Sequence, residues 1–168
     1  MQQDRFPDLV ARAGRLGARL RERGETVAVA ESSTGGLIAA ALLAQAGASA
    51  YFLGGGVIYT AAARSALLGL SATDLEGMRP SSEAYARLLA ERARGRLGAD
   101  WGLGETGAAG PEGNRYGDPP GHCCLAIAGP VDLVRTIGTG GGNRLANMQA
   151  FAAAALDLLG EAIGAPGC

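Results

Sequence analysis

The chain has 168 residues, of which 48% are hydrophobic and 18% charged, enough for one domain with a real core. Its formal net charge of −1 gives no general attraction to nucleic acid or to an anionic membrane, so neither partner is expected. All 15 basic residues are arginines; without lysine, no chemistry that needs a neutral side-chain amine is available, because a guanidinium keeps its proton. The charged N-terminus has no apolar signal core and no apolar run of membrane-spanning length follows, so a cytoplasmic location is expected. Of the three cysteines, Cys123 and Cys124 are adjacent and Cys168 is terminal. Neighbours on a strand point to opposite faces, which argues against a disulfide framework. One histidine, His122, and no CxxC pair give no zinc site and no metal is expected.

In chain order, residues 8–23 place Leu9, Ala13, Leu16 and Leu20 at helical spacing after Pro7 and before Gly24. "TVAVA" (26–30) reads as a short buried strand, and "GGLIAAALLAQAG" (35–47) as a helix. "GGVIYT" (55–60) reads as a strand, followed by a helix over 61–70 that Thr60 can cap. "SSEAYARLLAERARGRLGA" (81–99) opens with serine and glutamate cap chemistry and predicts a helix. A strand over 100–105 leads into a glycine- and proline-dense loop, 106–121. Strands 122–129 and 131–138, joined at Gly129-Pro130, suggest an antiparallel hairpin. A turn at 140–143 precedes a closing helix, 144–163. The pattern predicts a single three-layer α/β/α domain over 1–168, with its core at about 7–160 and a mixed, mostly parallel sheet of about five strands.

Two segments stand where an open α/β sheet binds ligands, beyond the carboxyl ends of strands. The first is the turn Glu31, Ser32, Ser33, Thr34, Gly35, Gly36. Helix capping accounts for one of its three hydroxyls more easily than for all of them, which points to a ligand-facing role. The second is the loop from Thr106 to Gly121, with Asn114, Arg115 and Tyr116 suited to a phosphate or polar ring; a solvated connector fits its composition equally well. "GLGETG" (102–107) matches GxGxxG literally, but no helix opens at its last glycine, so a dinucleotide fingerprint is rejected. A lone histidine is more often structural, and no catalytic role is assigned to His122.

"AESSTGGLIAAAL", "GASAYFLGGGVIYTAAARSALLGL", "SSEAYARLLAERAR" and "ETGAAGPEG", in this order and spacing, resemble the C-terminal domain of CinA, the competence/damage-inducible protein, from about residue 7 to 160. The resemblance implies a nicotinamide-nucleotide amidase (NMN deamidase), which hydrolyses the carboxamide of nicotinamide mononucleotide to the acid and ammonia without metal or cofactor. It implies Ser49 as nucleophile and Tyr59 as its neighbour, with the family's activating lysine falling on Arg64. Around the substrate it implies Glu31, Ser32, Ser33, Thr34, Gly35, Thr106, Gly107, Gly110 and Arg144.

The departures bear on chemistry. "YTAAAR" carries Ala61 and Arg64 where the family pattern has asparagine and lysine; Asn143 and Met148 replace an aspartate and an arginine. Arg64 can hold an anion or stabilise an oxyanion but cannot take a proton from serine. The alternative expectation is therefore a catalytically degenerate member that binds a nucleotide or serves as a regulatory or assembly subunit. Its alanine- and glycine-rich surface suits self-association, and a homo-oligomer is expected.

Overall fold

A computed structural model describes residues 5–165 and 167. Cys168 lies outside them. Five strands form one sheet in the order β2-β1-β3-β4-β5: β1 (Val27–Glu31), β2 (Phe52–Val57), β3 (Trp101–Ala108), β4 (His122–Ala128) and β5 (Leu133–Gly138). β1 pairs in parallel with β2 and β3, while β4 runs antiparallel to both β3 and β5. Four strands therefore point one way and β4 alone opposes them. The hairpin expected at Gly129-Pro130 is the β4–β5 connection. Five α-helices accompany the sheet among the described residues: α1 (Phe6–Arg23), α2 (Leu37–Leu43), α3 (Ala61–Leu68), α4 (Glu83–Leu97) and α5 (Arg144–Ile163).

Side-chain alternation along the strands sorts the core by size. Val27 and Val29 of β1, Trp101 and Leu103 of β3, and Cys123, Leu125 and Ile127 of β4 join Leu9, Leu16, Leu20, Ile38, Phe151 and Leu156 in one buried cluster under α1, α2 and α5. Burying each of the larger side chains contributes about 1.5–3 kcal/mol. The opposite faces of the same strands carry Ala28 and Ala30, Gly102 and Gly104, and Cys124, Ala126 and Ala128, and there α4 packs with Ala86 and Ala90. Cys123 and Cys124 thus point to opposite sides, and both are free thiols.

Among the boundaries that differ from the periodicity, three shape the sheet edge at the turn and loops. Gly35 and Gly36 hold φ of 63° and 100°, outside the helical region, so α2 begins only at Leu37. β2 lies three residues earlier than expected because the narrow Gly54–Gly56 run fits against β1, with Gly55 opposite Val29. An added Cβ at Gly55 would run into the Val29 carbonyl. β3 continues through Thr106 to Ala108 because these residues pair with Cys124, Cys123 and His122. Caps follow the sequence: Thr60 accepts from the Ala63 N–H, Ser82 from Tyr85 and Asn143 from Ala146. No helix among the described residues is long and apolar enough to cross a membrane.

Candidate functional site

The parallel strands β1, β2 and β3 deliver the 31–36 turn, Tyr59 and the 106–111 segment to one edge of the sheet. A cavity of about 560 Å³ opens there. Ser32, Tyr59, Arg64, Thr106 and Gly107 are among the residues that line it, together with Ser81, Tyr85, Arg115 and Tyr116. Its volume lies within the range of small-molecule sites, roughly 300–1,000 Å³.

The turn is shaped from beneath. Glu105, fully buried in β3, accepts the backbone N–H of Ser32 at 2.9 Å and of Thr34 at 3.0 Å. It also accepts the hydroxyl of Thr34 at 2.8 Å and that of Ser33. Glu31, equally buried, accepts the N–H groups of Ile38 and Ala39, each at 2.9 Å. The hydroxyls of Ser33 and Thr34 are therefore engaged inside the protein and do not face a ligand, contrary to the expectation for three hydroxyl donors. Ser32 is the exception: half-buried on the cavity wall, its Oγ has no hydrogen-bond partner among the described residues. Gly35 is exposed, and an added Cβ would stand 3.2 Å from Met148 on α5.

Around the mouth, Arg144 donates to the Gly110 carbonyl at 2.6 Å and to Tyr59 Oη at 3.1 Å. This ties the start of α5 to the 106–111 bend and fixes the exposed phenol. Gly110 holds φ of 105°, and an added Cβ would come within 2.7 Å of the Gly142 carbonyl oxygen; both its conformation and its close neighbour require glycine. Arg64 Nη1 stands 3.5 Å from Tyr85 Oη, with its guanidinium carbon 5.9 Å from the centre of that ring.

The long loop is built rather than loose. Asp118 takes two hydrogen bonds from Arg79, at 2.7 and 3.1 Å, and one from Asn114 at 2.8 Å. The Asn114 side-chain oxygen accepts from the N–H groups of Tyr116 and Asp118. Hydrogen bonding from Arg79 holds the Asp118 carboxyl below the usual carboxylate range. His122 is structural in this arrangement: its Nε2 lies 2.9 Å from the Ser81 carbonyl and 3.7 Å from Asp118. The ring thereby supports Ser81, a non-glycine residue at φ 58°, whose N–H donates to Thr106 Oγ1 at 3.2 Å.

Ser49 is not with the others. It is exposed in the turn before β2, whereas Tyr59 and Arg64 follow the far end of that strand. A six-residue strand spans roughly 20 Å, so within one chain Ser49 does not meet Tyr59 and Arg64. Glu105 opens the segment "ETGAAGPEG", but its part in shaping the turn carries no local signature: it is a lone carboxylate in a strand of tryptophan, leucine and glycine. Its one signal was a charge in an otherwise apolar run, which is rarely buried without a purpose. No group of three metal-ligating side chains occurs among the described residues.

The fold and cavity define a three-layer α/β protein with a polar, nucleotide-sized site at the carboxyl ends of its parallel strands. The CinA C-terminal domain family matches residues 10–163, and the chain belongs to that family. A CinA-like protein of Prochlorococcus marinus (strain MIT 9313) is 50% identical over 111 residues, covering 66% of this chain and 26% of that protein. One from Anaeromyxobacter dehalogenans (strain 2CP-C) is 48% identical over 128 residues, 76% of this chain and 30% of that protein. The chain thus spans under a third of the length of these relatives. Among solved structures, a competence/damage-inducible protein from Agrobacterium tumefaciens superposes with a TM-score of 0.85 at 33% identity, covering 94% of this chain and 96% of that one. A CinA superfamily protein from Klebsiella pneumoniae gives 0.86 at 29% identity, with 93% and 98% covered.

Proposed function

We propose that the cavity binds nicotinamide mononucleotide and hydrolyses its carboxamide, with Ser32 as the attacking hydroxyl. The observation that carries this reading is the presence of Ser32, Tyr59 and Arg64 together in the lining of one cavity, with an unpartnered serine hydroxyl among them. The Ser32 oxygen attacks the amide carbon, and its proton passes by way of Tyr59 to the departing nitrogen, which leaves as ammonia. Water then cleaves the resulting ester and regenerates Ser32. Arg64 supplies a fixed positive charge for the developing oxyanion, while Arg115, also in the cavity lining, suits the phosphate.

Ammonia release from nicotinamide mononucleotide, measured on the wild-type chain beside Ser32→Ala and Ser49→Ala, tests the assignment. Loss of release in Ser32→Ala with retention in Ser49→Ala is expected. The opposite pattern, or equal background from all three, overturns it.

A second reading is favoured by one specific feature: the cavity lining holds no lysine, histidine or carboxylate. On this reading the chain binds the nucleotide without turning it over. A ligand-induced rise in melting temperature with no ammonia release distinguishes it from the first.

A further inference from the structure

Beneath the cavity, Glu31 of β1 and Glu105 of β3 approach each other across Thr34, and all three are at most 1% exposed. Thr34 Oγ1 lies 2.7 Å from Glu31 Oε1 and 2.8 Å from Glu105 Oε2. A hydroxyl has one hydrogen to donate. Two ionised carboxylates would leave one of these contacts as oxygen against oxygen, with no hydrogen between them. One carboxyl must bring the second hydrogen.

The remaining partners decide which. Glu105 Oε2 already accepts two backbone N–H groups, from Ser32 and Thr34, so a hydrogen of its own would crowd both. Its Oε1 faces the Ser33 hydroxyl and, at 3.7 Å, the Cys123 thiol, both donors. Every neighbour of Glu105 is able to present a hydrogen, and the two backbone N–H groups can only donate, which is the environment of a carboxylate. Glu31 accepts one N–H on each oxygen, leaving Oε1 room to donate toward Thr34.

We infer that the two carboxyls share a single proton at neutral pH, Glu31 as the acid and Glu105 as the carboxylate, and that this pair positions Ser32 on the cavity wall. Thr34 accepts from Glu31 and donates to Glu105, so the hydrogen bonds run in one direction through three side chains. Glu105 in turn fixes the N–H of Ser32 while leaving its Oγ free. Burial pushes the Glu31 carboxyl up from its ordinary range, and the charge of Glu105 adds to that, against the hydrogen bonds from the Ala39 and Ile38 N–H groups.

The groups facing the pair offer no competing charge. β4 contributes Cys123, whose thiol burial raises well above its ordinary value, and α2 contributes the Ile38 and Ala39 amides. The turn itself adds Ser33 and Thr34. Among the described residues no arginine or histidine makes an ion pair with either carboxyl. Loss of the shared proton would place two negative charges on either side of Thr34 in a dry site, and the turn would come away from β3.

The role of Ser32 in this scheme rests on the function proposed above; the protonation state does not. Carbon-13 spectra of glutamate-labelled wild-type chain, assigned by through-bond correlation, read the two carboxyls directly without substrate and without any variant having to fold. At pH 7 the Glu31 carboxyl carbon is expected at the position of the neutral acid, titrating above the ordinary glutamate range, with Glu105 ionised. Two ionised carboxyls at pH 7, or a Glu31 that titrates like a surface glutamate, would overturn the inference. Hydrogen exchange at the Ser32 amide, corrected for intrinsic base catalysis, tests positioning. It is expected to rise through the Glu31 midpoint in wild type and to show no such rise in Glu31→Gln. An exchange rate blind to the Glu31 titration would refute the positioning role. Loss or retention of ammonia release leaves both readouts unchanged, so this inference and the proposed activity fail separately.

Discussion

Arg64 is where the residue chemistry is most exposed to test. Its guanidinium stays charged against Tyr85, so it supplies charge but no base. Converting the position to an amine that can lose its proton, with the neighbouring amide restored, is the double substitution Ala61→Asn with Arg64→Lys. General-base assistance is worth about 10²–10⁴-fold, so ammonia release from nicotinamide mononucleotide should rise by at least about tenfold over the natural chain. No gain would mean that Arg64 does not stand where proton removal occurs. Arg79 gives a second expectation of a different kind. It lies outside the cavity lining but holds Asp118 through two hydrogen bonds, and Asp118 braces Asn114. Arg79→Ala should therefore weaken ligand affinity, read as a rise in KM with kcat nearly unchanged. At this scale the sequence was partly legible. Ser32, Tyr59, Arg64, Thr106 and Gly107 were all nominated and all meet at the cavity. Ser33 and Thr34 were nominated for a hydroxyl chemistry that the structure turns inward, because the direction of a side chain in a tight turn depends on what lies beneath it. That partner, Glu105, is 71 residues beyond Thr34, and no local pattern connects them.

At the scale of elements, order and type followed from periodicity, whereas edges depended on pairing. α1, α4 and α5 match their expected spans closely because an amphipathic helix with a serine, asparagine or glycine at its end declares its own limits. The limits of β2 and β3 are set by their neighbours: β2 begins at Phe52 because Val27 faces it, and β3 ends at Ala108 because His122 does. The rejected GxGxxG match has a mechanical explanation as well. Gly102 and Gly104 lie in β3 directly under α4, where an added Cβ would meet the carbonyls of Ala90 and Ala86; their purpose is close helix–sheet approach and not a phosphate. Gly104→Ala should accordingly destabilise the fold by about 1–3 kcal/mol or more, the usual cost of overpacking. Chemical denaturation would show it as a lower midpoint. A neutral result would mean that α4 can move off the sheet.

For the molecule as a whole, the charge environments give a stability curve with two limbs. Arg79 lowers the Asp118 carboxyl through hydrogen bonding, and Arg135 does the same for Glu161. Groups lowered by folding contribute stability above the ordinary carboxylate range and lose it as pH falls through their folded values. Glu31 has the opposite sign. Raised by folding, it contributes fully below the ordinary glutamate range, and that contribution is lost as pH rises through its folded value. The melting temperature should therefore decline toward acid pH and again as pH rises above the ordinary glutamate range through the folded Glu31 value, with Glu31→Gln flattening that upper limb and Asp118→Asn softening the acid one. A thermal scan across pH on the three chains reads this directly, and an upper limb identical in wild type and Glu31→Gln would contradict it.

The seam of small residues between α4 and the sheet has one further consequence. Tyr85 rides on α4 and Thr106 on β3, and the backbones that carry them are in near contact through Gly102, Gly104, Ala86 and Ala90. These two walls of the cavity are effectively one casting, with their separation set by atomic radii and not by side chains that can be swapped. Fitting a bulkier or slimmer guest then falls first to the span from Gly110 to Asp118, a boundary held by polar clasps such as Arg79–Asp118 and Asn114–Asp118 rather than by interlocked backbone. Selection for a new guest would rewrite that span first and leave the rear of the chamber at its original gauge.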